Sequence, residues 1–117
     1  MTYVDGFIVA VKKDRVDDYK ALATIARDVW MDHGALTYVE AIADDVSVGK
    51  VTSFPRAVLL EEDEVVFFSW ITYESREARD EVNKKVMADP RLKHEQEGMP
   101  FDGKRMIYGG FKTLVVG

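Results

Sequence analysis

Asp5, Tyr38, Trp70 and Tyr108 are the residues of this 117-residue chain whose types and placement could do chemistry. Asp5 interrupts an apolar, partly β-branched run from Tyr3 to Val11. An acid buried by such neighbours needs a donor partner or takes a raised pKa, and either equips it to exchange a proton. At a strand start it could instead face water or accept from a backbone amide. Tyr38, Trp70 and Tyr108 fall near the centres of strand-like segments. Each joins a large apolar ring to a polar handle, which suits a ligand platform or a core position. Lys104 and Arg105, close to Asp102, could clamp an anion or form surface ion pairs of little energetic weight.

Other chemistry is excluded by what the chain lacks. There is no cysteine, which rules out disulfides, thiolate metal sites and a thiol nucleophile, and fits a reducing compartment. The two histidines, His33 and His94, have no second histidine at helical ligand spacing, so no metal site is expected. His33 falls at the end of a helical pattern, where it would cap terminal carbonyls, and His94 sits among charged residues as a solvated side chain. No G-x-S-x-G, Walker or G-x-G-x-x-G pattern occurs. The carboxylates at Asp44-Asp45 and Glu61 to Glu64 read as soluble loop residues. A net charge of -5 without a basic stripe opposes binding to nucleic acid. The opening Met1 to Gly6 lacks the pattern of a signal peptide, and no later apolar run reaches membrane-spanning length, so a soluble, cytoplasmic protein is expected.

The elements that must position these side chains follow from periodicity. Tyr3 to Val11 reads as a strand. Val16, Tyr19, Leu22, Ala23, Ala26, Val29, Trp30 and His33 then recur at three- and four-residue steps, which predicts an amphipathic helix with Asp14 as N-cap and Gly34 as its stop. Ala35 to Ala43 alternates, placing Leu36, Tyr38, Glu40 and Ile42 on one side. Phe54 to Leu60 reads as extended, forming a hairpin through the acidic turn Glu61–Glu64 with the strand from Val65 to Tyr73. Ser75 predicts the N-cap of a second helix striped by Ala78, Val82, Val86 and Met87 and ending before Asp89-Pro90, with an added helical turn over 91–97. The last strand is expected over Lys104 to Val116, where Gly109-Gly110 signals a bulge or a close backbone approach.

The order strand, helix, strand, strand, helix, strand in one domain over residues 1–117 predicts an α+β, ferredoxin-like split βαβ sheet with two helices on one face. The strand Glu64 to Tyr73 is apolar on both sides, with Phe68 and Trp70 on one and Phe67 and Ile71 on the other. Helices cover one face only. The other calls for a second layer, most simply an identical sheet from a second copy, so a homodimer is expected.

Tyr3-Val4-Asp5-Gly6-Phe7, Val65-Val66-Phe67, Ser69-Trp70-Ile71, Met87-Ala88-Asp89-Pro90-Arg91 and above all Met99 to Phe111 resemble the YbaA-like family of uncharacterised small bacterial proteins, over essentially the whole chain. The resemblance implies a ferredoxin-like dimeric α+β barrel and no particular activity. The wider barrel group includes cofactor-independent monooxygenases and haem-degrading enzymes. The latter would place a tryptophan where Trp70 stands, yet also need a histidine on the following helix, and Ser75 to Ala88 has none, with Asp80 near that position. Two readings follow. One is a homodimer whose pocket between sheet and helices accepts a small aromatic or quinone-like molecule, for cofactor-independent oxygenase or isomerase chemistry. Tyr38 and Trp70 would then position the ligand, and Asp5 or Tyr108 would exchange a proton. The other is a non-catalytic dimeric binding or interaction module whose aromatic residues are core.

Overall fold

In the computed structural model, which describes residues 2–92 and 98–117, four antiparallel strands form one sheet in the order β2-β3-β1-β4. The elements are β1 (Tyr3–Lys12), α1 (Val16–Asp32), β2 (Thr37–Ile42), α2 (Phe54–Ala57), β3 (Glu64–Tyr73), α3 (Arg76–Ala88) and β4 (Ile107–Lys112), with short 3-10 turns at Lys13–Arg15 and Pro90–Leu92. The fold is thus a mixed α+β arrangement built on an antiparallel sheet. His94, and most of the helical turn expected over 91–97, lie outside the described residues.

Register decides which side chains meet the helices. β1 and β3 pair from Tyr3 with Tyr73 to Lys12 with Glu64, so the odd-numbered residues of both strands share one face. On it, Tyr3, Ile71 and Tyr73 pack with Val29 of α1 and Val82 and Val86 of α3, while Val9, Val11 and Phe67 pack with Tyr19. The alternation in the strands and the three-to-four spacing in the helices therefore serve a single apolar layer.

The ends of the elements follow their local chemistry, with two corrections. Asp14 is not the cap of α1: it lies inside the 3-10 turn, and Arg15 occupies the N-cap position without a side-chain bond. His33 caps no carbonyl with its ring, because Nε2 meets the Asp89 carboxylate at 2.8 Å. Gly34, at φ 116°, does stop α1 in the left-handed region that a side chain disfavours. Ser75 caps α3, its Oγ accepting from the Ala78 N–H at 3.0 Å. Gly109 and Gly110 continue an unbroken register opposite Gly6 and Asp5, so the pair marks a close approach and not a bulge: Gly110 lies against the Tyr3 ring.

The expected hairpin at Phe54 to Leu60 is also corrected. Phe54–Ala57 is one helical turn, with Ser53 Oγ accepting from the Arg56 N–H at 3.1 Å and Pro55 in the first turn. The turn lies over the far side of the sheet, where Val58 packs with Ala10 and Val66, and Phe54 meets Phe68, which in turn meets Trp70. This covers one end of that face. Beyond it Phe68 keeps 45% of its surface exposed and Phe111 64%.

Candidate functional site

Between the helices and the sheet lies a cleft of about 890 Å³. Its walls are largely apolar, supplied by Phe7 and Ile71 from the sheet, Leu22 and Trp30 from α1, and Phe101 and Met106 from the segment leading to β4. Into it projects a carboxylate. Glu40 stands on the helix-facing side of edge strand β2, opposite Ser69, and accepts from the Tyr19 hydroxyl at Oε1 and the Tyr38 hydroxyl at Oε2, both at 2.8 Å. Ser69, itself buried, lies beside it across the ladder.

Each of these side chains is placed by ordinary local structure. Tyr38 and Glu40 are two apart on β2 and share its inner face. Tyr19 belongs to the apolar stripe of α1 and is held by the Phe67 ring at 4.7 Å and the Phe101 ring at 5.9 Å. Burial pushes the Glu40 pKa up, opposed by the hydrogen bonds from Tyr19 and Tyr38 and by the neighbouring Ser69. The phenols of Tyr19 and Tyr38 are driven well above the usual tyrosine range, first by burial and then by the negative charge of Glu40. They are held as donors. On the other side of the same Tyr19, Tyr38 and Glu40 side chains, a smaller recess of about 350 Å³ opens past Lys20, Thr24 and Arg27.

Asp5 belongs to a neighbouring polar cluster. Its Oδ1 takes the Arg79 guanidinium at 2.9 Å, and the Tyr73 hydroxyl lies near it. Burial raises the Asp5 pKa, against Arg79 and Tyr73, which lower it. The Tyr73 hydroxyl also accepts from Trp30 Nε1 at 3.1 Å, so the cluster steadies a ring that lines the cleft without entering the cleft itself. Asp89 sits at another wall, paired with His33 and with Arg91 at 2.8 Å each, contacts that hold its carboxyl well below the usual range.

Of Asp5, Tyr38, Trp70 and Tyr108, Tyr38 is the one that lines the cleft. Trp70 lies on the opposite face, since Val39, its partner in the ladder, points away from Tyr38. Tyr38 and Trp70 therefore cannot grip one ligand within one chain. Tyr108 is exposed at the outer strand β4 and stacks on Phe7 at 6.1 Å. Arg105 is engaged by Glu64 at 2.5 Å and Asp102 at 2.9 Å, while Lys104 stands at the cleft. Glu40, Tyr19 and Ser69 were not singled out by sequence reasoning. The signal for Glu40 was present: it is an acid on the apolar side of an alternating strand, the same anomaly that marks Asp5.

A family model described as "Protein of unknown function (DUF1428)" matches residues 2–103. The chain belongs to the DUF1428 family. DUF1428 relatives include "Uncharacterized protein YbaA" of Escherichia coli K12 and of Shigella flexneri, each 55% identical over 115 residues and covering 98% of both chains. The YbaA-like resemblance read from the segments above is thereby shown. Among the described residues of this DUF1428 chain, no helix is long and apolar enough to cross a membrane, and no group of three or more His, Cys, Asp or Glu side chains could hold a metal ion.

Proposed function

We propose that this DUF1428 protein binds a small aromatic or quinone-like molecule in the cleft and moves a proton at Glu40, as a cofactor-independent oxygenase or isomerase. The observation that carries the reading is a carboxylate held by two phenols at 2.8 Å in the wall of a largely apolar cleft, where burial pushes its pKa up. A proton acceptor works best when its pKa lies near the working pH, and burial moves a carboxylate in that direction. The apolar walls supply affinity for a ring and exclude the water that would compete for the proton. Trp30, Phe7 and Phe101 stand where a planar ligand would pack.

The same reading includes a second copy of the chain. The strand order and the placement of α1 and α3 on one face support a ferredoxin-like unit, and the exposed apolar side chains of the other face support closure of a dimeric barrel. Trp70 and Phe68 would then be interface residues. The rival reading, a non-catalytic dimeric binding module, is favoured by the engagement of both Glu40 oxygens, which could simply tie β2 to α1.

The test uses N-phenyl-1-naphthylamine as an uncharged fluorescent probe of the cleft, displaced by a panel of aromatic and quinone compounds. Compounds that displace it are then followed for incorporation of solvent deuterium and for oxygen uptake. Glu40→Gln is expected to keep probe binding and to lose the proton exchange. A variant that exchanges as fast as the wild type returns Glu40 to a structural role.

A further inference from the structure

We infer that the Tyr19–Glu40–Tyr38 group is a proton-exchange site for an acidic O–H on an unsaturated carbon, that of a phenol or an enol, with the two tyrosines acting as donors to the oxyanion it leaves. The inference rests on the proposed role of Glu40 and names the substrate class that role would serve.

The geometry is that of a site for one negative charge. A carboxylate has about four lone-pair positions, and two are filled by the phenols at 2.8 Å. A substrate O–H entering from the cleft can reach a further one. When the proton passes from the substrate oxygen to Glu40, the O–H bond of the substrate breaks, an O–H bond forms on the carboxyl, and the negative charge moves to the substrate. No electron is gained or lost by the pair, and no further reagent is needed. The neutral carboxyl is then a poor acceptor, whereas the new oxyanion is a strong one. Each tyrosine hydroxyl can turn about its C–O bond toward it without movement of the ring.

Two further observations fit this exchange. The rings that carry the hydroxyls are themselves fixed, Tyr19 between Phe67 and Phe101 and Tyr38 against Trp30 at 6.1 Å, so the donors are positioned before the charge moves. Both phenols also line the cleft with Glu40, which places donors and acceptor at one wall. A carboxylate or phosphate ester brings its charge with it and has no proton for Glu40 to take, so it meets the existing negative charge unrelieved. The site should therefore distinguish ligands by acidity of a neutral O–H and reject those already ionised.

The test uses 4-nitrophenol and the larger 4-nitro-1-naphthol, whose ionised forms absorb at longer wavelength, with nitrobenzene as the probe that lacks the O–H. Titrations are run below the pKa of each free phenol. On addition of wild-type protein the phenolate band is expected to appear in proportion to bound probe. Glu40→Gln, which cannot keep the proton, should form bound phenolate only with release of one proton to the buffer, whereas the wild type should form it with none. Tyr19→Phe and Tyr38→Phe should each lower the ratio of ionised to neutral bound probe by about tenfold, the effect of one hydrogen bond to a charged group. Circular dichroism checks that each variant is folded, and Glu40→Asp serves as a second variant that keeps the acid but draws it back from the cleft, with an intermediate phenolate fraction expected. If nitrobenzene binds and the phenols bind only in neutral form, the substrate class is refuted while ligand binding in the cleft stands. If the wild type releases a proton for each phenolate bound, as Glu40→Gln should, the acceptor is misassigned and the inference fails. If none of the three probes binds, the cleft is not a ligand site and both readings fall together.

Discussion

Gly110→Ala should destabilise the protein, whereas Gly109→Ala, one residue away in the same strand, should not. A methyl carbon at Gly110 would lie 2.5 Å from the Tyr3 hydroxyl oxygen and 2.8 and 2.9 Å from two of its ring carbons, well inside van der Waals contact. Tyr3 cannot yield cheaply. It is 9% exposed, packs with Val29 and Tyr73, and carries the Arg79 guanidinium over its ring at 4.9 Å. Overpacking of this kind costs about 1–3 kcal/mol, and displacement of the guanidinium adds about 0.5–2 kcal/mol. Replacing a strand glycine offsets about 0.5–1 kcal/mol of that by restricting the unfolded chain. The net loss is about 1–4 kcal/mol, or about 4–16 °C in melting temperature at this size. At Gly109 the nearest atom to a new methyl is a ring carbon of Phe111 at 3.5 Å, an ordinary contact, so Gly109→Ala should gain about 0.5 kcal/mol. Denaturant unfolding of both variants, and of Gly110→Ala in a Tyr3→Leu background, measures the effect. The coupling with Tyr3 should recover most of the loss. Equal stability of the two single variants, or a loss that persists in the Tyr3→Leu background, would refute the reasoning.

Glu40 gives a pH prediction. Burial raises its folded pKa from the ordinary 4.5, so the folded state holds the proton more tightly than the unfolded state does. That contribution is complete below 4.5 and is lost as pH rises through the raised value, so Glu40→Gln should gain on the wild type between acid and neutral pH in parallel urea titrations. A difference that stays flat across this window would show the carboxyl to be unshifted. Arg79→Ala leaves the Asp5 carboxylate, 6% exposed, without its ion partner and should cost about 3–5 kcal/mol. Adding Asp5→Asn should restore part of that loss in thermal melts, because no buried charge then remains. Sedimentation equilibrium should find the 13.3 kDa chain as a dimer, and Trp70→Glu or Phe68→Glu should shift it to monomer; a wild-type monomer at micromolar concentration would rule out the sheet-to-sheet interface.

Helices α1 and α3 and strands β1, β2 and β3 were legible in the sequence because each is declared by a local pattern, while the strand expected over Lys104 to Val116 is narrower, Ile107–Lys112. The stripe Tyr19, Ala26, Val29 and the alternation Phe67, Ser69, Ile71 need no knowledge of distant residues, and Ser75 and Gly34 mark ends by their own chemistry. Where local signals were thin, tertiary contact decided. Ser53, Pro55 and a short apolar run are compatible with a strand or with a helical turn, and packing of Val58 and Phe54 against the sheet's outer face accompanies the turn observed. The segment Met99 to Gly110 showed its apolar content, but only the fold brings Phe101 onto Tyr19 and Gly110 onto Tyr3.

The candidate site divides in the same way. Alternation along β2 places Tyr38 and Glu40 on one face, and that much is written in three consecutive residues of sequence. That the carboxylate meets Tyr19, 21 residues earlier, and Ser69, on the neighbouring strand, depends on how α1 crosses the sheet and on the register of β2 against β3. The sequence likewise set Asp5 in an apolar strand and so required a partner for it, but the identity of that partner, Arg79 on α3, comes from helix packing. Trp70 and Tyr38 looked equivalent as aromatic residues at strand centres. Only the pairing of Trp70 with Val39 separates them, because a pleated sheet sends adjacent side chains to opposite faces and one chain's cleft lies on one face alone.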